Sequence, residues 1–135
     1  MTALLPSPSV RPTHPVELIC CAIARQEGWF DGPNPPTKLH NPGDLRYAGQ
    51  VNAKPSDPQT QDSLAEFSSD QAGIAGLFRQ VWAQVAAGQS LRELISQWAP
   101  PNENNTSVYL VNVLEWTQLP ADTPVLELIP QLYKV

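Results

Sequence analysis

Basic charge is scarce in this chain. Its 135 residues include eight Lys or Arg against thirteen Asp or Glu, a formal net charge of −5. No basic run occurs, so nucleic-acid binding lacks its usual electrostatic footprint, and attraction to an anionic membrane lacks it too. No apolar segment approaches the ~20 residues that cross a bilayer. The opening stretch, MTALLPSPSVRPTHP, has no basic cluster and its short apolar patch breaks into Pro and Ser, so it does not read as a secretory signal. The expectations are no nucleic-acid partner, no membrane insertion, and synthesis in the cytoplasm without a signal peptide. Any action outside the cytoplasm then needs another export route.

Cysteine is nearly absent. Cys20 and Cys21 are adjacent, and neighbours on a helix diverge by about 100°, which strains a bond between them. Two small buried thiols in a reducing compartment are the first reading. A catalytic thiol is the lesser one, because no His or Asn stands nearby in sequence to activate it. His14 and His40 are far apart and lack ligand-spaced partners, so no metal or other cofactor is indicated.

Proline, by contrast, is abundant, and its fifteen copies mark element boundaries. Residues 1–14 read as an exposed, partly extended tail, and residues 15–135 as a single domain, long enough for its own core and expected to act as a monomer. His14-Pro15 opens a first helix, with Val16, Ile19, Cys20 and Ile23 at helical spacing and Gly28 as its stop. Residues 31–36, DGPNPP, read as loop. Residues 45–47 and 64–67 are expected to pair as a small antiparallel sheet, with 49–62 as a polar excursion between them. Ser68 and Gln71 resemble a capping box for a helix carrying Ile74, Leu77, Phe78, Val81 and Val85, which Gly88 ends. Ser90 and Glu93 form a second box, ahead of a helix that Pro100-Pro101 stops. Asn104 or Asn105 caps a helix through Tyr109, Val113 and Trp116, and Thr123-Pro124 starts a last short one. The class is α+β, mostly helical, with a small β element after the first helix.

Within AIARQEGWF, residues 22–30, a carboxylate stands where the apolar stripe should continue. Ile23, Cys20 and Val16 precede Glu27 by four, seven and eleven residues, on the face expected to meet the core. Partial desolvation and the negative end of the helix dipole both disfavour the charged form there. Both raise the pKa, and a carboxyl protonated near neutral pH suits a general acid. Trp29 is a candidate apolar wall beside it. The plainer reading is an ordinary residue of a fraying last turn.

Four pieces in order resemble the lysozyme-like superfamily, particularly small phage and bacterial lysozyme-like glycan hydrolases related to goose-type lysozymes and lytic transglycosylases. They are AIARQEGW; NPGDLRY, close to the group's NPGNLR signature; FSSDQAGIAGL; and WAPPNENNTSVYLVNV. Together they lie within residues 19–113. The resemblance implies a lysozyme-like fold with Glu27 as catalytic acid in a cleft between the first helix and the small sheet. It implies β-1,4-linked N-acetylated glycans as substrate, peptidoglycan or a chitin-like polymer, with action at the cell wall and possible phage association. Asp44 departs from the pattern, whose commoner residue there is Asn, and adds a carboxylate near the proposed cleft.

Glycosidases usually employ two carboxyl groups. Candidates for the second are Glu66, Asp44, Asp31 and Glu103, with Glu66 also readable as a solvated strand residue. The resemblance places Asn41 near the cleft and the Tyr109 hydroxyl near the acid. Against these stand a turn role for Asn41 and core packing for Tyr109. Arg46 is read first as holding a carboxylate in the core and second as touching sugar, and Asn104 as a cap before a substrate contact. The expected activity is glycan cleavage of lysozyme type, by hydrolysis or by lytic transglycosylation. The competing reading is a non-catalytic glycan-binding or virion structural module on the same fold.

Overall fold

A computed structural model describes Leu5 and residues 14–102 and 104–130. The chain folds as α1 (Pro15–Gln26), a 3-10 turn (Trp29–Asp31), α2 (Pro35–Lys38), β1 (Ala53–Pro55), β2 (Ala65–Phe67), α3 (Asp70–Ala86), α4 (Leu91–Trp98), α5 (Thr106–Thr117) and α6 (Val125–Leu128). It is a mostly helical α+β arrangement, with one two-stranded antiparallel sheet after the first helix.

Helix α1 runs through the middle of the core. His14 caps it, its Nδ1 accepting from the Val16 amide at 3.1 Å, and Pro15 takes a first-turn position where no amide hydrogen is needed. Val16, Ile19, Cys20 and Ile23 are fully buried. They pack with Leu77, Val81 and Val85 of α3, Leu94 and Ile95 of α4, and Val113 of α5. Both cysteines are buried and free. Gly28, at φ +91°, ends the helix in the left-handed region. Of the expected exposed tail, the structure describes Leu5, which is half-buried against the core, and His14; the rest lies outside the described residues.

Three local expectations need correction. The 31–36 stretch is not all loop, because Pro35 and Pro36 occupy the first turn of α2. Asn34 and Thr37 cap that turn reciprocally, the Thr37 amide donating to Asn34 Oδ1 at 3.2 Å and the Asn34 amide to Thr37 Oγ1 at 2.9 Å. The sheet partner of β2 is residues 53–55 rather than 45–47, in the register Ala53–Phe67, Lys54–Glu66, Pro55–Ala65. Residues 45–47 still run beside 63–65, through a single Arg46–Leu64 bridge and backbone bonds from Ala65 to Leu45 and from Tyr47 to Ser63. The cap of α3 falls at Ser69, whose hydroxyl accepts from the Ala72 amide at 3.2 Å, one residue beyond the expected box.

Other boundaries agree with the sequence reading. Ser90 and Glu93 form the capping box of α4, Asn105 caps α5, and α6 starts after Pro124. Two glycines bring α3 against the β region. A Cβ on Gly73 would lie 1.7 Å from the His40 carbonyl oxygen, and one on Gly76 would lie 2.8 Å from the Phe67 ring. These close approaches hold the 40–43 turn and β2 on α3.

Candidate active site

Glu27 caps the C-terminal end of α1, and the reversal at Gly28 carries the chain away from it. Asn34 fixes that reversal by donating its Nδ2 to the Gly28 carbonyl at 2.6 Å. Helix α5 holds the helix end from the other side. Its Tyr109 hydroxyl donates to Glu27 Oε2 at 2.8 Å, and Asn112 Nδ2 donates to Gln26 Oε1 at 2.9 Å. Tyr109 is only 4% exposed, so the phenol is a fixed part of the core. Glu27 itself lines a cleft of about 620 Å³, within the ~300–1,000 Å³ usual for small-molecule sites.

The turn after α2 builds one wall of this cleft. Asn41 is fully buried and works as a clamp. Its Nδ2 donates to the Leu45 and Ala65 carbonyls, both at 2.9 Å, and its Oδ1 accepts from the Leu45 amide at 2.9 Å. Gly43 lies beneath Trp98, whose Nε1 donates to the Gly43 carbonyl at 3.1 Å. A Cβ on Gly43 would meet Leu77 at 2.9 Å and the Trp98 ring at 3.1 Å, so only glycine fits without displacement. Asp44 follows at φ +51°, a left-handed conformation that Asp and Asn tolerate better than most residues.

Much of the remaining lining is neutral amide. Gln50, Gln80, Gln84, Gln97 and Asn104 border the cleft. Gln80 Nε2 donates to Gln84 Oε1 at 3.2 Å, while Gln84 Nε2 donates to Gln89 at 3.1 Å and Gln97 at 3.4 Å. A wall of this kind offers donors and acceptors with no net charge, which suits an uncharged, hydroxyl- and amide-bearing ligand.

Burial dominates the electrostatics. It pushes the Glu27 carboxyl from its ordinary 4.5 up to about 7; the Tyr109 hydrogen bond opposes the rise, and the Asp44 charge adds to it. Asp44 is also raised by burial, with the Arg46 guanidinium pulling it back down. Tyr109 is driven well above its usual range, by burial first and then by the Glu27 charge. Near neutral pH the cleft therefore offers a proton on Glu27.

Of the candidates named from sequence, Glu27, Asp44, Arg46 and Asn104 line the cleft together, and Tyr109 joins them through Glu27. Asn41 shapes the wall from inside. Arg46 is exposed at the rim rather than in the core, where its Nη1 donates to the Asp62 carbonyl at 2.5 Å. Glu66 lines a different hollow of about 410 Å³, with His40, Asn52, Lys54 and Ser68. The cause is strand alternation: Ala65 and Phe67 face the core, so Glu66 faces away. Asp31 is exposed on the 3-10 turn, and Glu103 lies outside the described residues. Trp29 packs against the core, and the aromatic at the cleft is Trp98.

The glutamines went unread. Gln80 and Gln84 stand four residues apart on α3, so they share a face, but glutamine on a helix ordinarily signals only solvent. Among the described residues no group of His, Cys, Asp and Glu could hold a metal ion, and no helix is long and apolar enough to cross a membrane. No family model matches the chain, and neither a curated protein nor a solved structure does.

Proposed function

We propose that this chain cleaves β-1,4-linked N-acetylated glycans, chiefly peptidoglycan, as a glycosidase of lysozyme type with Glu27 as general acid. The observation that carries the reading is the Glu27 carboxyl, largely buried at a cleft and titrating at about 7. A group with that pKa is protonated in about half the molecules at neutral pH and transfers its proton readily. Glu27 protonates the glycosidic oxygen as the bond to the anomeric carbon breaks, and positive charge develops on the sugar ring. A water, or the sugar's own 6-hydroxyl, then completes the reaction. The first gives a hydrolase and the second a lytic transglycosylase. The order and spacing of AIARQEGW, NPGDLRY, FSSDQAGIAGL and WAPPNENNTSVYLVNV, which resemble the lysozyme-like superfamily, support the same substrate class and an action at the cell wall.

The amide-rich lining also favours a second reading, a glycan-binding module that does not turn over. One experiment separates the two. Purified peptidoglycan is incubated with the protein and with Glu27→Gln, and the products are weighed by mass spectrometry, since anhydro and reducing ends differ by one water. Cleavage by the parent, slowed at least ~10²-fold in the variant, supports the enzyme. Full-rate cleavage by a folded Glu27→Gln protein overturns it. Glycan binding without any cleavage by the parent favours the module.

A further inference from the structure

We propose that Asp44 is the second catalytic group of this cleft, the base that takes a proton from an attacking water. The inference rests on the reading of Glu27 as acid and deepens it, because it makes the reaction a hydrolysis with inversion.

Four observations carry it. Asp44 lines the same cleft as Glu27 but comes from a different element, the turn after α2 rather than the end of α1. Its position is fixed from inside. The Asp44 amide donates to the Asn41 carbonyl at 3.1 Å, the following Leu45 amide donates to Asn41 Oδ1, and Asn41 Nδ2 ties the turn to β2 through Ala65. The charge of Asp44 acts on both Glu27 and Tyr109, although the hydrogen-bond partner of Glu27 is the Tyr109 hydroxyl. Last, burial leads among the influences on both carboxyls and raises both, but the Arg46 guanidinium draws Asp44 back toward its charged form, whereas no cation is among the influences on Glu27, which rises to about 7. A carboxyl offset by a cation beside one that is not suits a base and an acid. Glu66, the other strand candidate, lies in a separate hollow.

The step balances as follows. The protonated Glu27 gives its proton to the glycosidic oxygen while the bond from that oxygen to the anomeric carbon breaks. A water on the opposite ring face forms the new carbon–oxygen bond and passes its proton to the Asp44 carboxylate. The anomeric centre changes from β to α. Asp44 then releases its proton and Glu27 regains one, both by exchange with solvent.

The test is Asp44→Asn, a change the left-handed turn accommodates because Asn adopts that conformation as readily. Cleavage of chitin oligomers and peptidoglycan is followed by product mass and by NMR of the newly formed anomer. The expected results are reducing ends of α configuration from the parent and a rate at least ~10²-fold lower in Asp44→Asn. Added azide, a nucleophile with no proton to lose, should restore turnover in the variant. A positioning role alone predicts no such rescue, so a slow variant that azide leaves slow overturns the inference. It is overturned as well by a variant within threefold of the parent, by β products, or by anhydro ends alone, and in these cases the Glu27 reading stands. A parent that cleaves neither substrate, or a Glu27→Gln protein at full rate, overturns both.

Discussion

Two hollows adjoin the stretch that ends in β2, and each is lined by at least one acidic side chain. In the cleft, Glu27 sits at the end of a buried helix with a neutral phenol as its hydrogen-bond partner, and a second carboxyl, Asp44, is in electrostatic reach. In the other hollow, Glu66 projects from the outer face of the sheet with Lys54 opposite it in register, and His40 is bonded to Asp70 at 2.6 Å. The contrast lies in depth. Glu66 stands on the outer face of the sheet, whereas Glu27 is held among buried groups, and a carboxyl deprived of water keeps its proton. Helical spacing singled out Glu27, and the need for a second carboxyl brought Glu66 forward beside it; the fold separates their circumstances.

The sharpest way to break this comparison is to neutralise each carboxyl in turn. Glu27→Gln should lower the rate of peptidoglycan cleavage by about 10³-fold, in the range for a lost general acid, whereas Glu66→Gln should leave it within twofold. Equal losses in the two variants, measured as initial rates on the same substrate, would erase the distinction.

Next in size is the contact that holds the 40–43 turn between the hollows, since His40 borders one and Gly43 and Asp44 the other. A methyl at Gly73 would run into the His40 carbonyl, a backbone atom that cannot rotate away. Gly73→Ala should therefore cost about 3 kcal/mol, the upper range for overpacking, as measured by urea unfolding. A variant as stable as the parent would mean that the turn moves freely on α3.

The raised Glu27 carboxyl also has a price in stability, and its sign is fixed by linkage. Below 4.5 both folded and unfolded chains carry the proton, so the group contributes nothing. Between 4.5 and about 7 the unfolded chain loses the proton first, and the folded state weakens steadily as pH rises. Above 7 the penalty levels off at about 3 kcal/mol, taking ~1.4 kcal/mol per pH unit. Glu27→Gln should thus be more stable than the parent by up to about that amount at pH 8.5 and equal to it at pH 4. Parallel unfolding curves for Glu27→Gln and the parent across that range would count against the buried, proton-holding carboxyl.

The sequence showed some of this and hid the rest for definite reasons. The caps at Ser90 and Asn105 were legible because each uses a side chain to satisfy a backbone amide three residues away. Glu27 was legible because it ended an apolar stripe. Helix α2 was hidden, since Pro35-Pro36 reads as a breaker unless the reciprocal Asn34–Thr37 cap is noticed. Strand β1 was hidden because Ala-Lys-Pro carries no strand preference and is paired only through β2. The choice between Asp44 and Glu66 required knowing which way each side chain points relative to α1. That depends on the Asn41 clamp and the Gly73 contact, both made over long sequence separations.

The smallest effect is the most specific, because the two neighbours of Glu27 act on it in opposite directions. The Tyr109 hydroxyl donates to the carboxylate and so favours its charged form; the Asp44 charge disfavours it. Tyr109→Phe removes the donor while keeping the ring that fills the core. It should raise the Glu27 pKa above about 7 and move the alkaline limb of the activity profile upward. The stability cost should be about 1 kcal/mol, as for a typical hydrogen bond. Asp44→Asn should move the Glu27 pKa down instead, which carboxyl-carbon NMR can read whether or not that variant turns over. Shifts of the same sign in the two variants would mean that Glu27 answers to burial alone. Opposite signs would show its proton poised between a donor that releases it and a charge that retains it.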